Sequence, residues 1–234
     1  VMGISFNGGN QKAVLNNINL LNGWTEYSIS CWIKSNETNS DQGWINFIEP
    51  NGQDRFGGPR YDAGGANAGG VNSLKFGLEI NGSEKVIEAR DNAQTTELQH
   101  IVGRWRSGDP TELFIDNDAS GVQDQDSAVT GSISASPDII VGQGPKESST
   151  TSFNGIIYEI RVFERWLTDQ EIETMYNLKG SDDFYGGLRL WYKFLDASFG
   201  QSPSTLFDWS DSNYNLPVTG SPIMDEAVIA FRRR

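Results

Sequence analysis

The sequence is poor in the residue types that staple small folds or build metal and nucleophile sites. Its 234 residues include one cysteine and one histidine. A single cysteine, Cys31, cannot form an intrachain disulfide, so packing or a bound metal has to hold the fold. One cysteine and one histidine also cannot assemble a zinc site of the Cys/His type. Cys31 lies in an alternating strand pattern, and we expect it to be a buried core thiol.

Catalysis by a serine or cysteine nucleophile needs a histidine base held against that nucleophile. The one histidine, His100, stands in a strand-like context between Gln99 and Ile101, so we expect a structural role for it. Phosphate-cradling loops are also missing, because the glycine pairs at residues 64–65 and 69–70 are not followed by Gly-Lys-Ser/Thr.

Long apolar runs are absent. The longest are about as short as residues 227–231, far below the roughly 20 residues of a membrane-spanning helix. We therefore predict no membrane insertion.

Basic residues are scarce, with 18 against 31 acidic residues and a net charge of −13. This charge repels phosphate backbones and anionic lipid, and the one basic cluster, residues 232–234, ends the chain. We therefore predict that the protein binds no nucleic acid. Only 7 of the basic residues are lysines, and scarce lysine beside many carboxylates is also typical of adaptation to high salt.

Alternation of apolar and polar residues with a period of two is the dominant pattern of the sequence. It runs through residues 27–34, 74–80 and 155–163, and Asn-Gly turn signals stand at residues 22–23, 51–52, 81–82 and 154–155. Many short alternating strands separated by turns predict a β-sandwich or barrel. The length fits one large all-β domain.

One helix is expected near residues 168–178. Thr168 and Glu171 have the spacing of a capping box, and Ile172, Met175 and Tyr176 recur at helical spacing. We predict a short amphipathic helix that lies against the sandwich.

The longest irregular stretch runs from residue 50 to residue 71. A loop of this length inside a compact domain is usually functional. It is our candidate recognition loop, and its candidate ligand-binding residues are Arg55, Phe56, Arg60, Tyr61 and Asp62. A disordered insertion or a subunit contact is the alternative.

Aromatic residues are plentiful, with seven tryptophans and seven tyrosines. Exposed aromatic rings can stack on sugars, although most rings in a sandwich belong to the core. Trp32, Trp191 and Phe163 alternate within strands and are predicted to be core. Four residues lie near turns or loops and are the candidates for exposed platforms: Trp44, Trp105, Tyr61 and Trp209.

Acidic residues cluster in residues 116–124, where Asp116, Asp118 and Asp124 follow the opening spacing of an EF-hand loop. Ser127 stands where the loop needs a bidentate glutamate, so an acidic hairpin turn is favoured. Glu84 and Glu88 alternate toward one strand face, where they could act as paired carboxylates. Solvent exposure of a charged strand is the favoured interpretation.

The order of several phrases resembles the laminin-G-like, concanavalin A-like jelly-roll superfamily. Residues 4–8 match the family's Phe-Asp-Gly strand, and residues 27–34 match its "phe-thr-ile-ser-ala-trp-val-lys" strand. Residues 113–117 then match its "leu-tyr-val-asp-gly" hairpin, and residues 153–172 match its closing strand and helix. "Trp-his-his-val-ala" and "ile-gly" phrases are matched at residues 98–102 and 138–142. The resemblance covers about residues 1–178.

The resemblance implies an all-β fold, a two-sheet antiparallel jelly-roll sandwich. The hydrolytic branch of the family carries a Glu-x-Asp-x-Glu strand, which is missing here, so a glucanase is disfavoured and we expect no enzyme. Calcium-binding members use aspartates where this chain has Asn7 and Tyr158. No cofactor is required, and calcium is the one candidate, with Asn7, Asp116, Asp118 and Asp124 as its candidate ligands.

Residues 186–222 resemble a phrase that usually precedes such a domain. They either complete this sandwich or begin a further repeat. We therefore expect one domain over residues 1–222 and a C-terminal tail over residues 223–234.

The function expected from these features is recognition without catalysis, with a glycan or glycoprotein surface as partner. The alternative is a structural subunit of a virion surface, such as a capsid decoration, turret or spike, that assembles with itself or with other subunits. A glycoside hydrolase is the least favoured interpretation. The expected location is extracellular, on a cell or particle surface.

Overall fold

A computed structural model describes residues 2–48, 57–64, 70–82, 84–118, 124–125, 128–134, 138–144, 151–179, 181–195 and 197–226. The elements in chain order are β1 (Met2–Asn7), β2 (Lys12–Leu15), β3 (Glu26–Ser35), β4 (Gln42–Gly43), β5 (Ile45–Ile48), β6 (Arg60–Asp62), β7 (Ser73–Ile80), β8 (Glu84–Arg90), β9 (Leu98–Arg106), β10 (Glu112–Ile115), β11 (Asp124–Gln125), β12 (Asp138–Val141), β13 (Asn154–Phe163), α1 (Asp169–Leu178), β14 (Leu188–Tyr192), β15 (Thr205–Leu206), β16 (Leu216–Thr219) and β17 (Ile223–Glu226).

The strands of the described residues form antiparallel sheets. A seven-stranded sheet has the order β10-β9-β3-β13-β1-β17, with β14 also paired to β13. Two five-stranded sheets have the orders β11-β8-β7-β6-β4 and β15-β16-β2-β12-β5. One apolar core is lined by all three, for example by Ile29, Phe76 and Val141. The predicted all-β jelly-roll sandwich is confirmed.

Strand β13 branches the large sheet because its two halves have different neighbours. Its first half pairs with β1 and its second half pairs with β14, while β3 runs along the other side. The register with β3 shifts between Ile157 and Glu159. Such a bulge re-aims the side chains that follow it, and beyond it Ile160 enters the core while Glu159 and Arg161 face the opposite side of the sheet.

Helix α1 covers the outer face of the large sheet. Thr168 caps it with the predicted reciprocal capping box to Glu171, and Ile172 and Met175 are its buried residues. The ring of Tyr176 stacks on Trp32, with 5.9 Å between centroids. The helix lies against the sandwich as predicted, and the predicted core residues Trp32, Trp191 and Phe163 are buried.

The C-terminal segments belong to the sandwich. Strand β14 pairs with β13 and β16 pairs with β2, so residues 186–222 complete this sandwich instead of beginning a repeat. Strand β17 pairs with β1, with Ile4 opposite Met224. The prediction of a tail from residue 223 is therefore wrong for residues 223–226, because these residues form a strand of the large sheet.

Candidate functional site

Three of the predicted exposed platforms are core residues. Trp44, Tyr61 and Trp105 are each at most 1% exposed. The rings of Trp44 and Tyr61 meet edge to face at 5.2 Å, and Trp105 lies opposite Tyr27 in the β3–β9 register. The prediction is wrong because these three side chains point inward, although they lie near turns in the sequence.

Two polar residues of the predicted recognition loop are held in a buried ion-paired group. Lys75 Nζ lies 2.9 Å from Asp62 Oδ2, and Arg60 lies 3.5 Å from the same oxygen. Burial acts to raise the pKa of Asp62, but Lys75 and then Arg60 outweigh it and the pKa is lowered. Lys75 is 2% exposed and Asp62 7%, so this group does not offer an open binding surface. Arg55 and Phe56 lie outside the described residues.

The four calcium candidates do not form one site. Asn7 ends β1, whereas Asp116 follows β10, and the strands β9, β3 and β13 lie between β10 and β1. At the usual spacing of neighbouring strands, this separates the two residues by about 19 Å. Asp116 accepts a hydrogen bond from the backbone of His100 at 2.8 Å, and Asp118 is paired to Ile115 across a tight turn. The side chain of Asp124 lies outside the described residues. In the described part of the chain, no three histidine, cysteine or acidic side chains come together as a metal site.

The lone histidine and the lone cysteine are buried. His100 stacks on Trp32 at 4.7 Å and lies 2.8 Å from Ser30 Oγ through Nε2. Burial, with a smaller effect of Arg161, lowers the pKa of His100 to about 3, so the ring is neutral. Burial also raises the pKa of Cys31. The predicted structural roles of both residues agree with this burial.

Glu88 is buried, which contradicts the predicted solvent exposure. Its carboxylate lies 4.0 Å from Arg90 Nε and is fully enclosed. Burial raises the pKa of Glu88 to about 8, with Arg90 opposing the shift. The prediction is wrong because Glu88 lies opposite Phe76 in the β7–β8 register and shares its inward face. The side chain of Glu84 lies outside the described residues.

Exposed aromatic rings are concentrated in one part of the chain. Among the described residues, the large aromatic side chains with substantial exposure are Tyr185 (55%), Phe199 (59%), Phe207 (49%) and Trp209 (50%). Two of them adjoin Trp191 and Lys193 on the outer side of β14. We call Tyr185, Trp191, Lys193 and Trp209 the β14 aromatic surface.

A buried ion network supports this surface from below. Arg161 contacts both Glu159, at 2.9 Å, and Asp182. The guanidinium also lies 4.5 Å from the ring centroid of Trp191, its register partner on β14. Glu159 accepts a 2.8 Å hydrogen bond from Trp191 Nε1. The Trp191 ring is therefore fixed by both stacking and hydrogen bonding.

The backbone of Trp209 is held by the carboxylate of Asp208. That carboxylate accepts 2.9 Å hydrogen bonds from the amides of Trp191, Ser210 and Tyr214. The amide of Trp209 in turn donates to the carbonyl of Trp191 at 2.8 Å. Trp209 thus presents a half-exposed indole from an anchored backbone, and its predicted exposure is confirmed.

The ammonium of Lys193 lies between the two indoles. Nζ is 3.4 Å from the Trp191 ring centroid and 5.3 Å from that of Trp209. Tyr185 packs on Trp191 edge to face at 5.6 Å. Burial and the nearby Arg161 lower the pKa of Lys193, against the opposing charges of Glu159 and Asp183.

This surface combines apolar ring faces with a positioned hydrogen-bond donor, which is what stacking on a sugar and orienting it require. Sequence reasoning found Trp209 but missed Tyr185 and Lys193. The signal that could have found Lys193 is its position two residues after Trp191, directly beyond the end of β14, whereas no local pattern marks Tyr185.

A family model described as the concanavalin A-like lectin/glucanases superfamily matches residues 7–173. No curated protein matches the chain in sequence. Within the described ranges, the helix α1 has 10 residues, and no candidate membrane-spanning helix is found.

Several solved structures are similar in fold. A proposed carbohydrate-binding protein from Bacteroides ovatus ATCC 8483 has a TM-score of 0.69 at 16% identity, and the match covers 97% of this chain but 60% of that one. The heptameric SAP-like pentraxin of Limulus polyphemus has a TM-score of 0.55 at 16% identity, over 77% and 83% of the two chains. The CBM40 of the Ruminococcus gnavus IT-sialidase, bound to alpha2,3 sialyllactose, has a TM-score of 0.52 at 13% identity, over 75% and 98%. Identities this low show the fold alone.

Proposed function

Because the chain belongs to the concanavalin A-like lectin/glucanase superfamily, we propose that it is a non-catalytic carbohydrate-binding module whose site is the β14 aromatic surface. The observation that carries the proposal is the half-exposed indole of Trp209, held by Asp208 beside the ammonium of Lys193. Two structural neighbours named for carbohydrate binding support it.

The non-catalytic part of the proposal is supported by the burial of the candidate acid–base groups. His100 is fully buried and its ring packs against both Trp32 and Tyr176, and Glu88 is fully buried beside Arg90. A hydrolytic carboxylate pair has to reach the bond that it cleaves. Neither group can do so from these positions.

The test is binding to a panel of immobilised glycans, followed by calorimetric titration of the best ligand. Trp209→Ala is expected to weaken binding about tenfold, because loss of one stacking partner removes roughly 1.4 kcal/mol. Phe199→Ala is the matched control, since Phe199 is 59% exposed and is not part of the surface. The proposal fails if the parent protein binds no glycan, or if Trp209→Ala binds as tightly as the parent.

Display on a cell or particle surface is part of this proposal. Assembly on a virion surface, adaptation to high salt and calcium dependence stay predictions. Titrating the best glycan with calcium and with a calcium chelator tests the last of these.

A further inference from the structure

Lys193 is set apart from the arginines by its lack of a carboxylate partner. All seven arginines of the described residues have a carboxylate within 4.0 Å, namely Arg60, Arg90, Arg104, Arg106, Arg161, Arg165 and Arg189. Within the same part of the chain, Lys193 forms no ion pair, and its ammonium contacts the rings of Trp191 and Trp209. In a protein with a net charge of −13, a half-buried ammonium without an ion pair is a positioned donor.

The carboxylates nearest to Lys193 do not satisfy it. Glu159 Oε1 accepts from both Arg161 and the indole of Trp191, and Asp182 Oδ1 is paired with Arg161, while Lys193 lies within ion-pair distance of neither carboxylate in the described structure. Asp183 influences Lys193 through its charge but forms no ion pair with it in the described structure. Within the described residues no hydrogen-bond acceptor is paired with the ammonium, so its N–H groups that do not face the two rings can donate to an acceptor that arrives from solvent.

We propose that the β14 aromatic surface binds a carbohydrate that carries an anionic group, a carboxylate or a sulfate ester, and that Lys193 donates hydrogen bonds to this group. This inference rests on the proposed function. A sugar ring stacked on the exposed part of Trp209 would bring its substituents close to the ammonium, which lies 5.3 Å from the centroid of that indole. A charge-assisted hydrogen bond to that substituent is about twice as strong as a neutral one.

The test is calorimetric titration with pairs of probes that differ in charge. Sialyllactose is compared with lactose, a galacturonate trisaccharide with a galactose trisaccharide, and a sulfated carrageenan oligosaccharide with its desulfated form. We expect at least one anionic probe to bind about tenfold or more tightly than its neutral partner. The identity of that probe distinguishes a carboxylate from a sulfate ester.

Substitutions of Lys193 test whether its ammonium causes the preference for the anionic probe. Lys193→Met keeps an unbranched side chain without the charge and is expected to reduce binding of the anionic probe to that of its neutral partner. Lys193→Arg is expected to retain the preference. Lys34→Met is the matched control, because Lys34 is exposed on β3. Asp183→Asn removes the competing carboxylate and is expected to raise affinity for the anionic probe by about two- to fivefold.

The outcomes separate this inference from the proposed function. If neutral and anionic probes bind equally, or if Lys193→Met retains the preference for charge, the inference is wrong while the proposed function stands, provided that Trp209→Ala still weakens binding. If the parent protein binds no carbohydrate, both are wrong.

Discussion

The neighbourhood of β6 and the β14 aromatic surface both contain aromatic rings and a lysine, but they differ in the exposure of the rings and in the pairing of the ammonium. At β6 the aromatic rings face the core and the ammonium of Lys75 is paired with Asp62. At β14 the ring of Trp209 is half exposed and the ammonium of Lys193 has no carboxylate partner in the described structure. The difference shows that residue type and nearness to a turn do not decide whether a ring or a charge is accessible from solvent. The direction of each side chain and the pairing of each charge decide it.

The largest effect of a substitution on stability is expected at Trp44. Trp44→Ala removes a fully buried ring that packs on Tyr61 and Phe153, and the free energy of unfolding is expected to fall by about 3–5 kcal/mol. Urea denaturation followed by tryptophan fluorescence and circular dichroism measures this loss. A loss below about 1 kcal/mol would mean that the site is not part of the core.

The paired charge at β6 gives the next largest effect. Lys75→Met leaves the buried Asp62 carboxylate with Arg60 at 3.5 Å, and removal of one partner of a buried pair costs about 3 kcal/mol. Chemical denaturation of this variant is compared with that of the double variant Asp62→Asn, Lys75→Met. The double variant should recover part of the stability, since it no longer buries the Asp62 carboxylate without the ammonium of Lys75. Equal stability of the single and the double variant would contradict a structural role for the Asp62–Lys75 ion pair.

Glu88 is a buried carboxyl with a weaker ion pair than Asp62, since its nearest Arg90 nitrogen is 4.0 Å away. The pKa of Glu88 is raised to about 8 by burial, so the folded protein holds a proton that the unfolded chain has released above its ordinary pKa of about 4.3. Stability from this group is fully present below that ordinary value and is lost as the pH rises toward 8. The free energy of unfolding should fall by up to about 1.4 kcal/mol per pH unit in this window.

Unfolding measured from pH 4.5 to pH 8.5 tests this dependence, and Glu88→Gln should flatten it over that window. A profile that Glu88→Gln leaves unchanged would show that other groups cause the slope.

The smallest effect on stability is expected at the surface itself. Trp209→Ala should change the free energy of unfolding by no more than about 0.5 kcal/mol, because the ring is 50% exposed and Asp208 holds the backbone. Thermal and urea unfolding beside Trp44→Ala give the direct comparison. A large loss would place Trp209 with the core residues.

Most of the fold could be predicted from local sequence, because alternation and capping are local signals. Residues 27–34 became β3, and Thr168 and Glu171 cap α1 as expected. Strand β17 could not be predicted in this way. Its partner β1 lies at the opposite end of the chain, so no nearby residue indicates that Ile223–Glu226 belongs to a sheet.

The candidate site was less predictable for a physical reason. A strand pattern shows which residues share a face, but it does not show whether that face is covered. Trp32 of β3 and Val102 of β9 are buried on the outer face because α1 packs over this face, and Glu88 is buried because its face is the inner one. The position of Lys193 depends on the pairing of β14 with β13, which places Trp191 opposite Arg161. Local sequence does not indicate this pairing.

The pairing of β17 with β1 and of β16 with β2 also bears on how the protein is made. Strands β1 and β2 are synthesised first, yet each gains one of its neighbours from the last strands of the described chain. Contacts so distant in sequence carry a large loop-closure entropy and slow the folding reaction. Until those strands leave the ribosome, β1 and β2 each have an unpaired edge that can join another chain. Nascent molecules should therefore depend on chaperones more than the local order of their strands would indicate.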